Sequence, residues 1–135
     1  MTTKTKLAVL AILLILTLLT TACGGATSSP LQQPAPAVDV TPEEALNAWQ
    51  GKSAVILDVR TPDEFAQGHI PGAVLIPLDQ LDKRLDEVPK DKKVLVICRS
   101  GNRSSQATKL LRNNGFTNVY NVLGGMNHWP GPVEK

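Results

Sequence analysis

Cysteine is scarce: the 135-residue chain carries two, too few for the cross-linked scaffolds of small secreted domains. Histidine is equally scarce, at two residues, and neither the histidines nor the thiols have the spacing of metal ligands. No metal or cofactor is therefore expected. Charge of one sign is also missing, since 14 Lys and Arg stand against 12 Asp and Glu for a net charge of +2, which excludes a strongly basic nucleic-acid binder. Aromatics make up only 4% of the chain, but 42% of it is hydrophobic, which excludes a disordered or collagen-like chain. The length predicts one domain of ordinary size.

The residues are unevenly distributed. Lys4 and Lys6 precede an apolar run from Leu7 to Leu19 broken only by Thr17, and Thr20-Thr21-Ala22-Cys23-Gly24-Gly25 follows. Charge, apolar stretch and small residues come in the order of a secretory signal. The run is shorter than the roughly 20 residues that span a bilayer comfortably, so a retained anchor is the weaker reading. The stretch resembles a bacterial lipoprotein signal, which implies cleavage after residue 22 and lipid on the sulfur of Cys23, although Thr20 stands where that motif usually has Leu. Several acyl chains on one residue would hold the protein firmly to a membrane. Gly24 in place of Asp does not favour inner-membrane retention in a double-membraned cell. Residues 24–37, GGATSSPLQQPAPA, cannot bury enough surface to offset chain entropy and read as a flexible tether. The expected organisation is thus a signal over 1–22, a lipidated Cys23 and linker over 23–37, and a folded domain over 38–135 on the outer side of a bacterial membrane.

The folded part alternates strand and helix signals. Thr41-Pro42-Glu43-Glu44 and Thr61-Pro62-Asp63-Glu64 each combine a capping residue, a Pro in the first turn and a Glu to close a capping box, so helices start at both. Ala54–Val59, Val74–Ile76, Lys93–Ile97 and Val119–Val122 read as short buried strands. Leu78, Leu81, Leu85 and Val88 recur at helical spacing until Pro89, and Ser104–Asn113 predicts a helix ended by Gly115. The alternation implies an α/β fold, with a five-stranded parallel sheet covered by helices on both faces. Ligands in such sheets sit beyond the carboxyl ends of the strands. Cys98 is the residue there with suitable chemistry.

Cys98-Arg99-Ser100-Gly101-Asn102-Arg103-Ser104 joins the strand ending at Ile97 to the helix predicted from Ser104 through a sharp bend at Gly101 and Asn102. Successive backbone N–H groups and the helix N-terminus would favour an anion in this loop. Together with Arg99 and Arg103 they would lower the ionisation point of the Cys98 thiol. A free cysteine at a strand end is otherwise a small buried hydrophobe, but two arginines and a Ser-rich turn argue against an apolar site. Pairing with Cys23 is not expected, because that residue lies at the far end of a tether.

Asp58-Val59-Arg60, Glu64, Gly68-His69-Ile70-Pro71-Gly72-Ala73, the Cys98–Ser104 loop, and Gly124-Gly125 with Trp129 occur in an order that resembles the rhodanese family. The resemblance is to a single-domain rhodanese and covers about Val38 to Val133. It implies a sulfurtransferase in which Cys98 takes the outer sulfur of thiosulfate as a persulfide and passes it to cyanide or a thiol. It also implies that backbone N–H groups of residues 99 to 104 stabilise the anionic sulfur, that Arg99 and Arg103 attract the donor, and that Asp58 and Arg60 are supporting charges. Glu64, His69 and the glycines of Gly68–Ala73 read as turn and packing determinants, and His128 as structural or solvated. With no second free thiol in the domain, release depends on an external acceptor.

Two other readings compete. Phosphatases and arsenate reductases of the related fold place an arginine six positions after the cysteine, whereas position 104 is Ser and the arginine comes at Arg103, so the loop is one residue shorter and suits a sulfur better than a phosphate. A non-catalytic module that carries sulfur or docks a partner is the rival from another class. The expected partners are a small-molecule sulfur donor and acceptor and, through Cys23, a membrane; no nucleic acid is expected, and the chain is expected to be a monomer. Fourteen basic residues less Lys4 and Lys6 equal the twelve acidic ones, so the side chains of the processed chain would be formally neutral, with positive charge gathered around one thiol.

Overall fold

The computed structural model of the protein describes residues 38–135. The signal segment, Cys23 and the linker through residue 37 lie outside the described residues.

In chain order the elements are β1 (Asp39–Val40), α1 (Pro42–Gln50), β2 (Ala54–Asp58), α2 (Pro62–Ala66), β3 (Val74–Leu75), α3 (Leu78–Leu81), a 3-10 turn (Leu85–Glu87), β4 (Lys93–Ile97), α4 (Asn102–Asn113), β5 (Val119–Val122) and a second 3-10 turn (Gly125–His128). The strands form one sheet of order β1-β5-β4-β2-β3, and every pairing is parallel. This is the five-stranded parallel architecture that the alternation predicts.

Local chemistry starts α1 and α2 where expected. The Thr41 hydroxyl accepts the Glu44 N–H at 3.2 Å while the Glu44 carboxylate accepts the Thr41 N–H at 2.9 Å. Thr61 and Glu64 repeat the exchange at 3.3 and 3.1 Å. Each box satisfies two N–H groups that a helix start leaves without partners.

Side chains of β4 alternate between two cores, as a strand period of two requires. Val94, Val96 and Cys98 join Leu57, Val59 and Leu81 and, from α4, Ala107 and Leu111. Leu95 and Ile97 pack on the other face with Val40, Ala45 of α1, Ile56 and Val122. That second face is closed by Trp49 and Trp129, whose rings meet edge to face at 6.1 Å, and Trp49 donates its indole N–H to the Pro71 carbonyl at 3.1 Å. The chain end returns to the fold through His69 and Glu134, which exchange backbone hydrogen bonds at 2.8 Å.

Three local features differ from the sequence expectation. Strand β1 carries no pattern in the sequence because two residues are too short for a period. The repeat from Leu78 to Val88 is divided into α3 and a 3-10 turn, because Arg84 leaves helical geometry at φ −127°; Leu81 and Val88 are nevertheless both buried. Helix α4 starts at Asn102 rather than Ser104, which puts Arg103 and Ser104 in its first turn.

Candidate active site

Cys98 lies immediately after β4, at the carboxyl edge of the sheet, and its side chain continues the inward face of Val94 and Val96. It is a free thiol, 1% exposed. The loop then turns through Gly101, at φ 101°, a left-handed conformation that costs little only for glycine. This turn aims the Gly101 N–H at the sulfur, 3.1 Å away, and brings the Ser104 hydroxyl to 3.4 Å.

The opposite side of the loop is held by the second 3-10 turn. Met126 N–H donates to the Cys98 carbonyl at 2.8 Å and Asn127 N–H to the Arg99 carbonyl at 3.0 Å. With these carbonyls engaged outside the cradle, N–H groups face the sulfur. The close approach needs Gly124 and Gly125, both at positive φ; a Cβ on Gly125 would strike the Cys98 carbonyl oxygen.

Burial pushes the Cys98 ionisation point up, but hydrogen bonding from Ser104, through both hydroxyl and backbone, and from the Gly101 and Ser100 N–H groups outweighs it, so the net shift is downward. The result is a sulfur that ionises more readily than a free cysteine despite being buried.

The other residues of the loop take different places. Arg99, Ser100 and Asn102 are exposed, whereas Ser104 is fully buried. Arg103 forms a two-pronged ion pair with Glu64, with both N–O distances at 2.7 Å. Glu64 therefore does more than shape a turn: one carboxylate caps α2 and fixes a loop arginine from α4. Hydrogen bonding to Arg103, opposed by partial burial and aided by Thr61, holds the Glu64 carboxyl down at about 2.

Asp58 and Arg60 form a separate buried pair, the guanidinium reaching the carboxylate at 2.7 to 3.0 Å. Arg60 spends its remaining donors on the Glu64 carbonyl at 3.2 Å and the Gly68 carbonyl at 2.8 Å. Its geometry ties the end of β2 to the middle of α2 and to the turn that follows it. Arg60 and Arg103 also line an open, mainly apolar cavity of about 340 Å³ together with Val59, Pro77 and Leu78. His128 is exposed, its Nδ1 3.4 Å from the Gly124 carbonyl.

Asn121 on β5 is the member of the site that sequence reasoning missed. It is 4% exposed, its Oδ1 accepts the Ser104 hydroxyl at 2.6 Å, and its Nδ2 donates to Asp39 Oδ1 at 2.8 Å. The available signal was a polar residue at an inward position of a buried strand. Among the described residues, no group of His, Cys, Asp and Glu side chains could hold a metal ion, and no helix is long and apolar enough to cross a membrane.

A rhodanese-like domain family model matches residues 41–131. Among curated proteins, the chain is 37% identical over 90 residues to the thiosulfate sulfurtransferase GlpE of Pseudomonas entomophila, covering 67% of this chain and 82% of GlpE. It is 41% identical over 98 residues to YrkF of Bacillus subtilis, covering 69% of this chain and about half, 53%, of that longer protein. Among solved structures, a rhodanese-related protein from Thermoplasma volcanium superposes with a TM-score of 0.67 at 32% identity, covering 71% of this chain and 96% of the other.

Proposed function

This chain belongs to the rhodanese-like domain family, and on that premise we propose that it is a sulfurtransferase that carries a sulfane sulfur on Cys98. The Cys98 thiolate attacks the outer sulfur of thiosulfate. A new S–S bond forms, the old one breaks, and sulfite leaves with its electron pair. The persulfide then gives its outer sulfur to a thiophile such as cyanide or a thiolate, and the Cys98 thiolate returns. Splitting the transfer this way predicts ping-pong kinetics.

The observation that carries this reading is the buried Cys98 sulfur facing the Gly101 N–H and the Ser104 hydroxyl. Such donors favour the anionic sulfur from which loading starts. Arg103 supplies positive charge at the loop for a dianionic donor, in a position fixed by Glu64. Anchoring outside the cytoplasm through lipid on Cys23 is part of the proposal and is supported by the order of residues 4–25 alone.

Incubating the reduced protein with thiosulfate is expected to add the mass of one sulfur atom at Cys98, and cyanide is expected to remove it. The Cys98→Ser variant is expected to gain nothing and to lose turnover. A wild-type protein with its thiol verified as reduced and no adduct would favour the non-catalytic module instead.

A further inference from the structure

Ser104 has one hydroxyl proton and two neighbours that can accept it. The Asn121 Oδ1 is 2.6 Å away and the Cys98 sulfur 3.4 Å away. The shorter contact lies well inside hydrogen-bond range for oxygen, so Asn121 holds the proton while Cys98 is a thiol, and the S–H then points to a Ser104 lone pair. The orientation of Asn121 is itself fixed. Asp39 is its neighbour in the parallel ladder, and a carboxylate only accepts, so the amide Nδ2 must face Asp39 and the Oδ1 must face Ser104.

We propose that Asn121, locked in one amide orientation by Asp39, competes with the Cys98 sulfur for the Ser104 proton and so sets how readily that sulfur ionises. When Cys98 ionises, its own proton leaves to water and the Ser104 hydroxyl turns toward the sulfur. The Asn121 Oδ1 is then left opposite a Ser104 lone pair, a buried acceptor without its donor, which is costly. In the persulfide the charge moves to the outer sulfur and the Ser104 proton returns to Asn121. The chain Cys98–Ser104–Asn121–Asp39 thus links the reactive sulfur to an exposed carboxylate on the edge strand β1.

Other charged groups around Cys98 are accounted for. Arg103 on α4 acts on the sulfur through space and is paired with Glu64 of α2; Asp58 at the end of β2 is paired with Arg60; Arg99 is the next residue in the chain and exposed, and His128 of the last 3-10 turn lies against Gly124. None of these bonds Ser104 or Asn121.

The proposal deepens the sulfurtransferase reading but is tested without a sulfur donor, by the pH dependence of Cys98 alkylation with iodoacetamide. Asp39→Asn lets residue 39 donate to Asn121, so that amide can flip, offer its Nδ2 to Ser104 and free the hydroxyl proton for sulfur. Asn121→Leu removes the competing acceptor and leaves the Asp39 charge in place. Each is expected to lower the alkylation midpoint, raising the rate below it about threefold, which corresponds to about half a pH unit. In a Ser104→Ala background both shifts are expected to vanish. An unchanged or raised midpoint in Asp39→Asn, or an equal drop in the Ser104→Ala background, would overturn the proposal, the latter by showing a through-space charge effect. Asp39 is exposed, so its variant carries the test if Asn121→Leu does not fold. Failure here would leave the sulfur adduct on Cys98 intact as a separate result.

Discussion

Gly125 shows how much of the site depends on a single absent atom. Its φ of 57° lies in the left-handed region, where a side chain costs roughly 1–2 kcal/mol, and a Cβ would also meet the Cys98 and Arg99 carbonyls. Those carbonyls cannot yield, because they accept from Met126 and Asn127. Gly125→Ala is expected to lower unfolding free energy by about 2 kcal/mol or more and to slow sulfur loading of Cys98, as measured by denaturant titration and by the mass of the thiosulfate-treated protein. The glycine pair was visible in the sequence as a motif. Its role was not, since the atoms that exclude a side chain come from a loop 26 residues earlier, between Cys98 and Arg99.

At the scale of elements, α2 and α4 are joined to the loop by the Glu64–Arg103 pair, whose side chains are 24% and 31% exposed. Replacing Glu64 by Gln retains an acceptor for the Thr61 N–H but removes the charge. Because the Glu64 carboxyl is held down at about 2 from a usual 4.5, its contribution to stability is complete above the unfolded value and is lost as pH falls through the folded one. Glu64→Gln is expected to cost on the order of 1 kcal/mol at neutral pH, and its difference from wild type should close between about pH 4.5 and 2 when denaturation midpoints are compared. A gap that stayed constant across that range would assign the loss to the cap rather than to the ion pair. The Thr-Pro-x-Glu start of α2 is legible because capping is local. The partner of its Glu lies 39 residues away, and only the packing of two helices at one sheet edge selects it.

For the molecule as a whole, residues 38–135 hold one five-stranded sheet with a buried core on each face and Cys98 at its carboxyl edge. A protein comprising residues 38–135 is therefore expected to fold cooperatively and to load sulfur on Cys98 as the full chain does. The full chain expressed in a bacterium is expected to fractionate with membranes, and Cys23→Ala to abolish lipid incorporation; a soluble, unprocessed full chain would remove the basis of the anchoring proposal. The sequence by itself determined the strand and helix alternation, both capping boxes and the Cys98 loop, because these depend on neighbours within a few residues. It also placed β4 and β5 at their observed bounds, since buried β-branched runs are local signals. The tertiary structure decided β1, which exists only by pairing with β5, and the engagement of Arg103 by Glu64 rather than by solvent. It also decided that a buried Asn121 stands between the reactive sulfur and Asp39. These contacts join residues distant in the chain, and the sheet register that brings them together is a property of the assembled fold.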